Sequence, residues 1–348
     1  MKKLLVITFF ISSVAYSQNK DEAEKKVNEG VLIHDQGKYN EALEVYNYAL
    51  KLDKNNLLAL SEKAMTLNAA KQYNEAINVS KLAIDTHPNE DVKNVYVSYA
   101  NSLDHLNQTQ NSLKIYDEGL AKYPNYYQLH YNKGITLVNA KELGKAILSF
   151  QSATKANPNH SSSFNALGVL DQENRIAAIL SCSRYLILDN KSSRAKTNYE
   201  TIMKLMSKGV SQKDDKSISL VINSESVDGV ENGKNAENNF SATDLILSMA
   251  SALDYDDKNK DKTQCQKFID KFETICESLE ELKMKNKGYY WEFLAPYFIE
   301  LKNKKLIEPF AYIIFLPSQN ADVIKFHQDH SKEILAFNNW NKSYEWNK

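Results

Sequence analysis

Cysteine, glycine and proline are scarce in this sequence, and each scarcity excludes something. Three cysteines in 348 residues cannot form the dense disulfide framework that holds small exported domains together. Cys265 and Cys276 sit eleven apart in a segment of helical pattern, about 16 Å of rise on one helix. A bridge needs Cα atoms under about 7 Å apart, so these two and Cys182 read as small core residues. Ten glycines and six prolines are few for the turns of an all-β fold and favour helices. Excess charge of one sign is also missing. The formal net charge is -1, which gives no field for nucleic acid or anionic lipid. After the leader there is no apolar run near the roughly 20 residues a membrane span requires. No G-x-S-x-G, no phosphate-cradling glycine loop and no Cys-His nucleophile pattern occurs, so no catalytic residue, cofactor or metal is expected.

What is present is an ordinary folded composition, 43% hydrophobic and 25% charged, in a length that fills two modest domains. The first segment stands apart. Lys2 and Lys3 precede an apolar run from Leu4 to Ile11, and Ala15-Tyr16-Ser17 places small residues before polar Gln18-Asn19-Lys20. This is the pattern of a secretory leader, residues 1–17, cleaved after about Ser17. The run is about half a membrane span, and no cysteine follows it to carry a lipid. The expected mature chain is exported, periplasmic or envelope-associated, without direct membrane insertion.

The strongest signal is an internal repeat. Gly30 recurs as Ala64, Ala100, Gly134 and Gly168, at intervals of 34, 36, 34 and 34. Twelve residues after the first four come Ala42, Ala76, Ser112 and Ala146, then Tyr46, Ser80, Tyr116 and Phe150, then Ala49, Ala83, Gly119 and Ala153. Lys54, Pro88, Pro124 and Pro158 close the units. Small residues belong where the two helices of a hairpin cross closely, and an aromatic between them fills the wider gap. Proline, lacking an N–H, stops the second helix. Tyr39 and Tyr73, just before the second helices, pack the inner turns.

These small-small-aromatic-small-proline columns resemble the tetratricopeptide repeat family over roughly residues 23–190. Four units match well: 23–56, 57–90, 93–126 and 127–160. Asp91-Val92 is a short insertion before the third. A fifth, 161–190, keeps Phe164, Leu167 and Gly168. Its Ala178 comes two positions early and Cys182 replaces the aromatic. Residues 192–208 read as a capping helix over the last open face. The implied architecture is all-α: a helix-hairpin solenoid over 22–208, a linker at 209–239, and a small, mostly helical domain at 240–348 with at most one or two short strands.

The resemblance further implies a concave face lined by repeat positions 2, 5, 6, 9, 12 and 13 of each first helix. In the central units the candidates for holding a partner are Val97, Asn101, Asp104, Tyr131, Asn132, Ile135 and Asn139. Mixed apolar and amide side chains suit an extended or helical peptide, and in an asparagine-rich chain they are equally the solvated default of a helix surface. Asn101 and Asn132 repeat the asparagine pair of the family's carboxylate-clamp members. The clamp's cations are missing: Val97 stands for a lysine, and Ser162 and Ala166 replace basic residues. A free C-terminal carboxylate is therefore not the expected ligand.

In the linker, Ile218, Leu220 and Ile222 alternate with Ser219 and Val221 as a lone strand laid along a helical surface. Beyond it, Ser241 and Thr243 offer N-caps for a helix through Leu245, Ile246, Met249 and Leu253. A second helix from about Thr263 buries Phe268, Phe272, Ile275 and Leu279, and Gly288 breaks it. Tyr289, Tyr290, Trp291, Phe293, Tyr297, Phe298, Phe310, Tyr312 and Phe315 follow, cut into short helices by Pro296, Pro309 and Pro317. One last helix holds Val323, Ile324, Phe326, Ile334, Leu335 and Phe337. So many rings in about 110 residues read as a core, the alternative being a sugar-stacking or enzymatic surface. Asp254, Asp256, Asp257, Asn259 and Asp261 lack the glycine and glutamate of a calcium loop, and His327 and His330 lack further ligands. The expected function is a non-catalytic protein–protein interaction scaffold of the envelope that binds a protein or peptide partner, with self-association as a further possibility.

Overall fold

A computed structural model describes residues 2–214, 217–221, 227, 230 and 237–347, with side chains from Asn19 onward apart from those of 213, 214 and 217. The leader's side chains, Ile222 and much of the linker thus lie outside the described residues. The chain is all-α, with a single two-stranded sheet among the described residues. It divides into two compact units, residues 1–149 and 150–348.

The first unit is a run of helix hairpins: α1 (Lys2–Asp35), α2 (Tyr39–Leu52), α3 (Leu57–Ala69), α4 (Tyr73–Thr86), α5 (Lys93–His105), α6 (Thr109–Lys122) and α7 (Tyr127–Asn139). Helix α8 (Leu143–Ala156) spans the boundary between the units. First helices begin at 57, 93 and 127, in step with the repeat columns. Helix α1 packs on α2, α3 on α4 and α5 on α6, and α1, α3, α5 and α7 also pack in succession.

The columns explain the packing. A Cβ on Gly30 would lie 2.4 Å from the Tyr46 ring, so the aromatic occupies the space that glycine leaves. Ala42, Tyr46, Ala49 and Ala59 are fully buried together with Ala23 and Val27. In the third repeat the small residue is Ser112, whose buried hydroxyl donates to the Ala100 carbonyl at 2.8 Å. The inserted Val92 is fully buried. Its N–H donates to the Tyr123 hydroxyl (3.0 Å), which donates in turn to the Glu90 carbonyl (2.9 Å).

Within each hairpin the chain reverses through one left-handed residue: Gly37 (φ 77), Lys71 (φ 62), Asn107 (φ 59) and Lys141 (φ 62). The next N–H reaches back into the helix, as from Gln72 to Leu67 (2.8 Å) and from Glu142 to Leu137 (2.9 Å), satisfying carbonyls that the helix end leaves open. Tyr39 and Tyr73 turn out to be the opening residues of α2 and α4. Tyr73 stacks on His105 with centroids 4.7 Å apart.

The second unit contains α9 (Ser161–Leu170), α10 (Arg175–Leu188) and α11 (Ser193–Met206). Here the fold departs from a plain repeat. Every residue from Arg175 to Leu186 is buried, although a surface helix shows one apolar stripe. The α9 face reaches α10 through Gly168, where a Cβ would meet the Cys182 sulfur at 2.5 Å. Arg175 Nε donates to the Leu205 carbonyl at 2.6 Å, and its Nη1 reaches Ser248 Oγ (2.9 Å) and Asp244 Oδ1 (3.2 Å). One buried cation thus caps the C-terminal end of α11 and fastens α10 to the helix carrying Asp244.

The expected lone strand is half of a hairpin. Strand β2 (Ser217–Leu220) pairs antiparallel with β1 (Val210–Asp214), Val210 opposite Leu220 and Ser211 opposite Ser219. The partner strand reads Val-Ser-Gln-Lys-Asp, and its polar sequence carries no alternation to announce it.

Helix α12 (Ser241–Ala252) is not capped by Ser241 or Thr243. Asn239 Oδ1 accepts the Ser241 N–H at 3.0 Å, leaving Thr243 to be buried against Ser278 Oγ at 2.9 Å. This helix turns Leu247, Ser248 and Ser251 inward, while Met249 is exposed. Helix α13 (Gln264–Leu282) opens on a capping box between Thr263 and Gln266, and it buries Phe268, Phe272, Ile275 and Leu279 as the spacing requires. Both Cys265 and Cys276 lie on this unbroken helix, buried and free, as is Cys182. The helix stops at Leu282, short of Gly288, whose φ of 107 serves the following turn.

A wide helical turn over Tyr290–Leu294 leads into α14 (Ala295–Asn303) and α15 (Ile307–Ile314). Where one last helix is expected there are two, α16 (Ala321–Asp329) and α17 (Ser331–Ser343). The break falls at His330, whose ring stacks on Phe326 (4.3 Å) and whose Nδ1 meets Glu333 at 3.3 Å. The nine rings from Tyr289 to Phe315 are all buried. They are the core of this unit, and no sugar-stacking platform is left among them.

Candidate functional site

The seven candidates lie on α5 and α7 of the first unit. Val97 is half-buried against the core cluster of Tyr96, Leu103 and Tyr116. Asn101 Oδ1 accepts a hydrogen bond from the Tyr116 hydroxyl. That phenol is fully buried, and desolvation holds its pKa far above the ordinary value. Asn139 Nδ2 donates to Asp104 Oδ2 at 3.5 Å, joining α7 to α5. Asn132 Nδ2 donates to the Gln128 carbonyl one turn back, at 2.8 Å. Tyr131 is half-buried and Ile135 is 38% exposed. The structure thus brings Asp104 to Asn139 and gives Asn101 a core partner. It makes no hydrogen bond between Asn101 and Asn132.

A pattern in these bonds escaped the sequence. The residue at position 12 of α1, α3 and α5 reaches the next first helix. His34 Nδ1 meets Thr66 Oγ1 at 2.7 Å, and Asn68 Nδ2 donates to the Ser98 carbonyl (2.8 Å) and to Ser102 Oγ (2.9 Å). Asp104 and Asn139 continue the series. Position 12 is therefore a staple between repeats, with its polar capacity directed at least partly inward. The buried hydroxyls of Thr66 and Ser102, which meet the first two staples, are the signal from which these were readable.

The same register carried back to α1 and α3 shows what the face offers a ligand. Position 9 is Val31, Met65, Asn101 and Ile135, with Met65 42% exposed, and Leu58 at position 2 is also exposed. The ionisable groups at facing positions are Glu24, Asp35, Glu62 and Asp104, with His34 and His105; no lysine or arginine occupies any of them. Burial raises the Glu62 carboxyl above the ordinary carboxylate range, with Asp35 adding to the rise and His34 opposing it. The face is apolar and amide-rich with a carboxylate excess.

Elsewhere the polar clusters are engaged. In the acidic loop, Asp254 Oδ2 takes the Lys271 ammonium at 2.5 Å and Asp256 Oδ1 accepts the Lys258 N–H at 3.0 Å. His327 Nε2 meets the Tyr312 carbonyl at 2.9 Å. Among the described residues no three His, Cys, Asp or Glu side chains converge as a metal site. A cavity of about 420 Å³ lies among the turns Gly37–Glu41 and Ala69–Lys71, lined by none of the seven candidates.

Stacked helix hairpins joined by inter-repeat staples form the architecture of a protein-interaction scaffold. Two tetratricopeptide repeat family models match the chain, one over residues 34–96 and the other over 100–161. The chain is a tetratricopeptide repeat protein. Among solved structures, Pseudomonas aeruginosa pilF is 16% identical, covering 53% of this chain and 84% of its own, with a TM-score of 0.46. PilW, described as a widely conserved type IV pilus biogenesis factor, is 21% identical over 53% of this chain and 84% of its own, with a TM-score of 0.45. YrrB, described as having an unusual peptide-binding site, is 22% identical over 51% of this chain and 92% of its own, with a TM-score of 0.37. These likenesses reach about half the chain and speak neither to partner nor to location. No curated protein matches the chain.

Proposed function

We propose that this protein is an exported, non-catalytic scaffold of the bacterial cell envelope whose first-helix face receives a peptide or helix. In this reading the array within 22–208 holds the ligand, and residues 240–348 cap it or take a second partner. The observation that carries the reading is the facing surface of α1, α3, α5 and α7: Met65 and Ile135 project from it, and its carboxylates have no lysine or arginine among them. Such a face fits a segment with apolar anchors flanked by Lys or Arg. Val97, Asn101, Tyr131, Asn132 and Asn139 border the anchors, and the Asn101 and Asn132 amides offer hydrogen bonds to a ligand backbone. Affinity then falls with salt, as surface charge pairing does.

Site-specific photocrosslinking in native cells tests this. A crosslinker at Ile135 is expected to capture a partner that one at Leu82, exposed on the second helix α4, does not. Capture from Leu82 alone would move the binding face to the second helices. Export is tested separately by the mass of the purified native chain, which should begin at Gln18. A chain retaining Met1 would refute the leader.

A further inference from the structure

The second unit buries a guanidinium that no carboxylate answers among the described residues. Arg184, on α10, has no exposed surface. Its hydrogen bonds run to neutral oxygens: Nη1 to Asn341 Oδ1 at 2.6 Å, and Nη2 to the Pro158 carbonyl and Asn159 Oδ1 at 3.1 Å each. Nε has no partner. Burying a charge in this way is unfavourable unless something stands in for a counterion. Here three ring faces do: the centroids of Phe164, Tyr297 and Trp346 lie 6.0, 4.9 and 4.8 Å from the guanidinium carbon.

The three walls are not alike. Phe164 and Tyr297 are fully buried residues of α9 and α14. Trp346 is half-buried and belongs to the stretch after α17, which ends at Ser343. Among the described residues, no backbone hydrogen bond outside the helices fastens residues 344–347. They are held by rings. Trp346 lies parallel to Tyr297 (5.0 Å, 6°) and beside Phe293 (4.9 Å), and Tyr344 stands edge-on to Tyr297 (4.9 Å). A short segment anchored by side chains among buried rings is seated as a peptide ligand is seated, and segments with so few backbone bonds open most readily.

We propose that the pocket around Arg184, walled by Phe164, Phe293 and Tyr297, is a docking site for a tryptophan-bearing peptide segment, and that residues Tyr344–Trp346 fill it in cis. An indole covers the guanidinium, while Asn341 of α17 keeps its bond from Nη1. The site belongs to residues 150–348 and is independent of the first-helix face. An incoming peptide must displace the internal one, so the resting chain is largely closed to it.

A fluorescein-labelled peptide of residues 341–347 is the probe, added to the full chain and followed by anisotropy. Trp346→Ala removes the plug and leaves α17 and Asn341 in place. Its chain is expected to bind the peptide saturably, at least about tenfold tighter than the unsubstituted chain, because a plugged site is competent only while the plug is out. The same peptide with alanine for its tryptophan should bind neither chain. Equal binding to both chains would overturn the proposal, as would binding of the alanine peptide. So would absence of binding to a Trp346→Ala chain whose helical signal and melting are unchanged. Should that chain melt early, Trp346→Phe carries the same comparison with binding expected between the two, and no gain over the unsubstituted chain overturns the proposal.

Discussion

Helices α6 and α10 hold the same place in their repeats and meet opposite surroundings. Helix α6 buries Ser112, Ile115, Tyr116 and Gly119 and leaves Lys114, Asp117 and Glu118 in solvent. Helix α10 is enclosed on all sides, Arg175 and Arg184 included. A repeat remains a separable module only while its outer face is polar. The run from Ile176 to Leu180 and on through Tyr185 has no such face, so the fifth hairpin has become the central helix of another core. Its cations are kept by different means, one by a carboxylate, a hydroxyl and helix-end carbonyls, the other by aromatic rings.

The largest expected effect follows from Arg175→Met. It leaves the Leu205 carbonyl and Asp244 without their buried cation, a loss of about 3–5 kcal/mol. All three tryptophans (Trp291, Trp340 and Trp346) lie in residues 150–348, so their fluorescence reports the second unit alone while far-ultraviolet circular dichroism reports both. The fluorescence transition should move to lower denaturant with part of the helical signal surviving. Coincident loss of both would show that the two units melt as one block.

Next come the two glycine contacts, each about 1–3 kcal/mol if filled. Gly168→Ala should shift the fluorescence transition, and adding Cys182→Ala should restore much of it by removing the sulfur that the new methyl meets. Gly30→Ala should lower the circular-dichroism transition of the first unit and leave fluorescence alone. Ser112→Ala, which takes away one buried donor in the first unit, should cost about 1 kcal/mol on that same transition.

The smallest effect concerns Glu62. Its folded pKa is raised, so the protonated form is favoured by folding. That contribution is fully present below the unfolded pKa and is lost as pH rises through the raised folded value. Glu62→Gln, uncharged throughout, should therefore melt higher than the parent at neutral pH. The gap should close as pH falls to 4 and below, in a series of melts at constant salt. A parent that equals the variant at pH 7 would remove the desolvation argument.

The repeat was legible because close helix crossings demand small residues at fixed intervals, and Gly30 against Tyr46 shows that demand directly. The core of α13 was legible from its four-three-four spacing. What escaped detection depended on a partner elsewhere in the chain. Strand β1 has no pattern of its own, and Asn239 took the capping place from Ser241. The break at His330 rests on a ring stack and a carboxylate that spacing does not reveal. Among the candidates, Val97 and Ile135 sit where apolar contact is available. Asp104 and Asn101, chosen for polarity, proved to be occupied partly by the fold's own bonds, because a polar residue on an inner helix can bridge repeats as readily as it can meet a ligand.

The reach of those bonds in sequence also sets an order of events. In the first unit the staples join residues 32, 34 and 35 positions apart, so each hairpin finds its neighbour by closing a short loop. Thr154 meets Tyr289 across 135 positions, and Arg184 meets Asn341 across 157. Closing loops of that length is slower, so α10 waits for the segments that cover it after the repeats have formed. During that interval the chain carries a finished array followed by a helix that requires cover on every side. Its folding hazard is concentrated there, and a chaperone that meets the folding chain should engage it at α10 rather than at its repeats.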